Sequence, residues 1–218
     1  MIRITETVKH LLIINVLIFV ATMYVFPGLP EVNPFFSFLK NFQENGALYY
    51  PGSRFFHWYQ LITHMFLHGN FSHLFFNMFA LYMFGSALES QWGRNRFLFF
   101  YFFAGMGGAI FQIISWKMGL MGMSPAEQQF FLSTPFRVIG ASGAVFGVLA
   151  GFGMLFPNVE LLLLFPPIPI KAKYFVAIYG MLEIVLGFSN LQTGVAHLAH
   201  VGGLVFGLIL IFYWKKNP

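Results

Sequence analysis

The chain has 218 residues, 58% of them hydrophobic and 20% aromatic, with only 9% charged and a mean hydropathy of +0.72. That leaves too little polar surface to cover a water-soluble globule, so the composition excludes an ordinary soluble enzyme and reads as a polytopic membrane protein. The net charge of +5 points to no nucleic acid, because the 12 Lys and Arg stand in ones and twos between apolar runs; with no Cys and no Asp, thiol chemistry and Asp-based triads are excluded too.

A bilayer-length window of about 20 residues finds apolar runs near 8–26, 71–90, 97–116, 140–156, 172–188 and 195–214, which predicts six spanning helices. The first run passes from Val8 into Phe26-Pro27 without a small-x-small cleavage pattern, so it is expected to stay as a span. A connector from about 27 to 70 follows, rich in aromatics such as Phe35, Phe36, Trp58 and Tyr59, with Pro30, Pro34 and Pro51 breaking long helices. Such a segment is expected to lie half-sunk in the outer interface, and a second aromatic and Met-bearing connector, 117–139, falls on the same side. The run 140–156 is short, as suits a helix buried among others that starts below the membrane surface. No soluble second domain and no solenoid repeat are visible, so residues 1–218 are expected to form a single membrane domain.

If the helices alternate and the N-terminus is cytoplasmic, Arg3, Lys9, Arg94, Arg96, Lys171, Lys173, Lys215 and Lys216 lie inside. Only Lys40, Arg54, Lys117 and Arg137 then lie outside. Both termini are therefore predicted to be cytoplasmic.

Under that topology the second, fourth and sixth helices all run inward, and their opening turns carry His73 with Asn77, Ser142, and His197 with His200. At about 1.5 Å of rise per residue these groups share one shallow level below the outer surface. Polar groups inside a membrane are costly and usually face a bundle interior or a wet cavity. Gly143, Gly147 and Gly151 recur every four residues, as do Gly203 and Gly207, on one face with His200. Taken alone these glycines are ordinary packing motifs; together with Ser142 and His200 at matched depth they point to a site. A serine hydroxyl is a weak nucleophile until a base takes its proton, and His is the usual base. Ser142 also sits at a helix start, where unpaired N–H groups favour negative charge, while His73 and Asn77, four apart, can supply side-chain donors.

At these residues the sequence resembles the rhomboid family of intramembrane serine proteases. The stretch from His64 through His68 and His73 to Asn77, the quartet Gly140-Ala141-Ser142-Gly143, and Ala199-His200-Val201-Gly202-Gly203 running on to Gly207 match three hallmark regions of that family in order and spacing. The resemblance implies an all-α, six-helix membrane bundle. It also implies a dyad with Ser142 as nucleophile and His200 as general base, an oxyanion hole made by His73, Asn77 and the Ser142 N–H, and no cofactor. It implies as partners the lipid bilayer and single-pass transmembrane substrates, admitted sideways between helices and cut near the outer surface. A substrate helix must unwind at the cut, because a carbonyl locked in helical hydrogen bonds is poorly exposed to attack, so small and helix-breaking residues are expected there.

Many relatives carry Tyr four residues after the serine; here Phe146 keeps the stacking on the imidazole and loses the hydroxyl, with little harm expected. Trp92-Gly93-Arg94 reads as a structural turn. His197 and His200, at i and i+3, have the spacing of two metal ligands, but no His-Glu-x-x-His signature accompanies them and no metal is expected. His64 and His68 are read as holding the outer connector by hydrogen bonds, with a catalytic role as the alternative. Glu183, the carboxylate well inside a span, either orients an imidazole as a third member or is protonated or hydrogen-bonded to a neighbouring helix. The connector from Ser189 to Gly194 is a candidate lid. A bacterial cytoplasmic (inner) membrane is the expected location. The alternatives are a catalytically silent relative that binds transmembrane helices, which would lack the serine or histidine, and a transporter, which would need two repeated halves.

Overall fold

The computed structural model describes residues 3–30, 34–163, 167–189 and 194–216. Helix α1 (Glu6–Val20) continues through a π turn (Ala21–Val25) and a 3-10 turn (Phe26–Gly28). Its own cap residue, Thr5, makes no side-chain capping bond. The unpaired N–H groups of the first turn go instead to a distant carboxylate: Glu89 accepts from the Thr7 and Val8 amides at 3.0 Å each and from the Thr5 hydroxyl at 2.5 Å.

The first connector folds into three short helices, α2 (Pro34–Lys40), α3 (Phe42–Gly46) and α4 (Gln60–Thr63). Gln60, fully buried, donates to the carbonyls of Asn45 and Phe55, and Thr63 Oγ1 donates to Gly46 O at 2.7 Å. Leu48 and Val138 exchange backbone bonds of 2.9 and 3.0 Å, joining this segment to the second connector. Trp58 and Phe35 remain exposed, as interfacial anchors do.

Asn70 caps α5 (Phe71–Ala80) by accepting from the His73 amide, and a π turn (Leu81–Gly85) carries α5 into α6 (Ser86–Trp92). Gly93, at φ +75°, makes the turn into α7 (Arg94–Met121), a conformation that a side chain would strain. Helix α7 outruns the expected 97–116, so the second connector begins as helix. It then holds α8 (Pro125–Ser133), started by a Ser124/Glu127 capping box. After α9 (Ser142–Leu155) the chain departs from the all-α expectation with a hairpin. Strands β1 (Glu160–Leu162) and β2 (Pro169–Lys171) pair antiparallel, setting Glu160 opposite Lys171. Helices α10 (Ala172–Gly187) and α11 (His197–Lys216) follow.

Each of the six apolar runs is thus helical. The segments Glu6–Gly28, Phe71–Trp92, Arg94–Met121 and His197–Lys216 are long and apolar enough to cross a membrane. With 14 residues α9 is shorter, about 21 Å, and it is buried continuously from Gly143 to Gly153. Helix α10 has 16 residues.

Helices α7, α9 and α11 form the centre, and their backbones nearly touch. A methyl built on Gly108 would lie 2.9 Å from Ala199 O, one on Gly207 would lie 3.0 Å from Gly147 Cα, and one on Gly203 would overlap Gly143 O. Only small residues permit that approach. Phe97, Phe100, Tyr101, Leu88 and Val148 are fully buried around it. The two ends of the bundle differ. At one, Glu89 meets the start of α1, the Arg96 guanidinium lies 4.4 Å over the Trp214 ring, and Trp92 packs edge-on against Trp214. The starts of α5, α9 and α11 lie at the other. Ile13 and Leu17 of α1, Phe75 and Phe76 of α5, and Ile178, Met181 and Val185 of α10 face outward, an apolar surface suited to lipid.

Candidate active site

Ser142 opens α9 and His200 lies in the first turn of α11, so the glycine contacts that join these helices also set their opening side chains together. Ser142 Oγ is 2.8 Å from His200 Nε2. The phenyl ring of Phe146, one turn after Ser142, stacks on the His200 imidazole at 4.3 Å between centroids and 8° between planes. Phe146 is itself backed by Tyr179 of α10 at 5.0 Å. The imidazole is thereby held in one plane by packing. Ser142 is half-buried, whereas His200 is 8% exposed.

The third side of the imidazole meets Glu183 of α10. His200 Nδ1 is 2.9 Å from Glu183 Oε2, and the same oxygen lies 2.6 Å from His197 Nδ1. Of the sequence readings of Glu183, the structure shows the hydrogen bond to a neighbouring helix, made at the imidazole that faces Ser142. That one carboxylate engages both histidines could be suspected only from His197 and His200 sharing a face with an acid at similar depth on the preceding helix. The three ligand atoms lie within 4.8 Å of one another, as a metal would require. The carboxylate nevertheless accounts for both Nδ1 positions by hydrogen bonding alone.

His73 flanks the serine. A methyl built on Gly140 would lie 2.6 Å from His73 Nε2 and 3.6 Å from Ser142 Oγ, and Gly140 has φ +132°, so glycine is required there on both counts. Asn77 is buried and donates one amide N–H to the His73 carbonyl at 2.9 Å. His64 bonds the Gln60 carbonyl through Nδ1 at 2.7 Å, and its own carbonyl accepts from the Gly140 amide at 2.9 Å, which couples the outer connector to the Ser142 turn. Burial pushes its imidazole down to about 4. His68 departs from expectation. It is fully buried, neither ring nitrogen has a hydrogen-bond partner among the described residues, and it packs edge-on to His73 at 5.0 Å. Burial, reinforced by the neighbouring His73 ring, pushes its imidazole down to about 3. Of the candidate lid, residues 190–193 lie outside the described residues.

Residues 56–217 match the family model of the Rhomboid domain. The chain is 30% identical over 168 residues to Rhomboid-like protein 11, chloroplastic, of Arabidopsis thaliana, a match covering 74% of this chain and 54% of the relative. It is 31% identical over 157 residues to Rhomboid protein 1, mitochondrial, of Saccharomyces cerevisiae, covering 72% and 42%. It is 31% identical over 155 residues to Rhomboid protease GluP of Bacillus subtilis, covering 69% and 25%. The chain thus spans about half or less of the length of these curated relatives.

Proposed function

Because the chain belongs to the rhomboid family, we propose that it is an intramembrane serine endopeptidase that hydrolyses a peptide bond in or near the transmembrane segment of single-pass membrane proteins. The observation that carries this reading is the 2.8 Å approach of Ser142 Oγ to His200 Nε2 on two helices locked together by backbone contact. The hydroxyl proton passes to Nε2 as Oγ bonds the scissile carbonyl carbon. The tetrahedral oxyanion is met by His73, Asn77 and the Ser142 N–H, and the proton on Nε2 then goes to the leaving amine as the C–N bond breaks. Water, activated by the same imidazole, hydrolyses the acyl-enzyme. Proteases named among the relatives support the reading.

We further infer six crossings with both termini cytoplasmic. The grouping of Arg96, Trp214 and the α1 start at the end of the bundle away from Ser142 supports this, since it gathers basic residues on one side. Residues 1–218 are read as one rhomboid-like membrane domain. A bacterial cytoplasmic membrane is the compartment we assign, supported by the match to GluP of Bacillus subtilis; membrane fractionation of the source cells tests it against the organelles named for the other two relatives. The activity itself is tested by labelling the protein in bilayers with a fluorophosphonate. Wild type is expected to label, and both Ser142→Ala and His200→Ala to abolish it. A folded wild type that does not label would replace this reading with that of a silent protein binding transmembrane helices.

A further inference from the structure

We propose that Glu183 is a positioning residue for the Ser142–His200 pair: its carboxylate fixes the His200 ring in the tautomer that leaves Nε2 free to take the serine proton, and His197 pins the carboxylate in place. The proposal rests on the protease reading above and deepens it.

A carboxylate inside an apolar bundle is costly unless its oxygens find donors. Glu183 is 4% exposed, and its Oε2 has two, the Nδ1 atoms of His197 and His200 at 2.6 and 2.9 Å. Both contacts are satisfied when each imidazole carries its proton on Nδ1 and donates it to the carboxylate. For His200 that tautomer presents the lone pair of Nε2 to the Ser142 hydroxyl, 2.8 Å away. The opposite tautomer would set the Nδ1 lone pair against a carboxylate oxygen and point an N–H at Ser142, from which no proton could then be taken. The carboxylate therefore selects the tautomer that can act as a base.

The sequence around Glu183 is built to bring it there. Gly180 and Gly187 lie three residues before and four after it, on the same face of α10. A methyl on Gly180 would lie 2.8 Å from Leu204 Cδ1, and one on Gly187 would lie 2.8 Å from Leu198 Cδ2. Helix α10 thus approaches α11 closely on both sides of Glu183, near enough for a glutamate to span the gap. His197, one turn before His200, fills the second acceptor direction of the same oxygen, so the carboxylate cannot swing away without breaking that contact. During acylation the proton moves from Ser142 Oγ to His200 Nε2 while the Nδ1 proton stays where it is. The imidazolium so formed is faced by the Glu183 charge, and Glu183 itself takes up no proton.

The test uses the full chain in lipid nanodiscs, as wild type, Ser142→Ala, Glu183→Gln and Glu183→Asp, labelled with a fluorophosphonate over a range of concentrations to separate probe binding from the bond-forming step. Glu183→Gln is expected to keep the thermal midpoint and the half-saturating probe concentration near wild type while the maximal labelling rate falls about 10²-fold or more, since a wrong tautomer alone is that damaging. Glu183→Asp, which keeps the charge, is expected to recover at least part of that loss. Nitrogen-15 NMR of histidine-labelled wild type is expected to show the proton of His200 on Nδ1, assigned by its disappearance in His200→Ala. Glu183→Gln labelled as fast as wild type while Ser142→Ala stays blank would overturn the positioning role and leave the protease reading intact. A rate loss matched by loss of folded protein, with Asp no better than Gln, would do the same. If Glu183→Gln fails to fold, the NMR decides, and a proton on Nε2 of His200 refutes the proposal. Wild type that never labels would overturn the protease reading instead, and the NMR would still judge the tautomer.

Discussion

Gly203→Ala perturbs the contact that assembles the site. The added methyl would overlap the Gly143 carbonyl oxygen and lie 2.6 Å from the Gly143 carbonyl carbon and 3.0 Å from its Cα. These are backbone atoms of a helix buried all round, so no flexible side chain can yield. Restoring even the carbon contact to an ordinary 3.4 Å separates α9 from α11 by about 0.8 Å, by simple difference. Gly143 follows Ser142 directly, and Gly203 lies one helical turn beyond His200. The same displacement therefore opens their 2.8 Å contact to about 3.6 Å, beyond hydrogen-bonding reach. Overpacking of this kind costs about 1–3 kcal/mol in stability, and a misplacement near 1 Å can cost about 10²-fold in rate. Fluorophosphonate labelling rates and thermal unfolding in nanodiscs measure both, with Gly119→Ala as the control, since a methyl there meets nothing within 4 Å. A Gly203→Ala protein that labels at the wild-type rate with an unchanged midpoint would refute the view that this backbone contact positions the two side chains.

Three further outcomes are expected. Asn77→Ala should lower kcat by about 10²–10³-fold with little change in KM, the usual effect of losing one oxyanion donor; a raised KM with kcat unchanged would assign Asn77 to substrate binding instead. Glu89→Ala strips the Thr7 and Val8 amides of their acceptor. It should lower stability by about 1–2 kcal/mol without slowing labelling per folded molecule, and a thermal midpoint equal to wild type would contradict the capping role. His64 is held near 4 in the fold against about 6.5 in an unfolded chain, so the unfolded connector binds protons first as the pH falls. Its contribution to stability is complete above about pH 6.5 and is lost progressively down to pH 4, by about 3 kcal/mol in all, and His68 acts in the same direction. Hydrogen exchange over residues 46–68 at pH 4.5 and pH 7 measures this, and equal protection at both would refute it.

Much of the molecule is determined by the sequence by itself, because its signals are local. Apolar runs long enough to cross a bilayer read as helices, since a helix satisfies its backbone within a single segment in lipid whereas a strand needs a closed barrel around it. Glycines every fourth residue, at 143, 147 and 151 and at 203 and 207, mark faces on which backbones can meet, and Ser142 and His200 stand at the starts of those faces. The pairing of α9 with α11, and of serine with imidazole, could therefore be expected from glycine spacing together with the matched depth of the two side chains. What only the tertiary structure decided depends on the rotation and approach of helices that no spacing encodes. Among the Glu residues, Glu183 reaches the imidazoles because Gly180 and Gly187 let α10 close on α11, and one of its oxygens serves two rings because His197 and His200 turn the same edge toward it. His64 and His68 look alike in the sequence, yet one bonds a carbonyl and the other is buried edge-on against His73. The turn at Gly140 joins the outer connector to Ser142 through an amide-to-carbonyl bond with His64. Contacts of this kind join residues far apart in the chain, and they exist only once helix packing has fixed where each backbone lies.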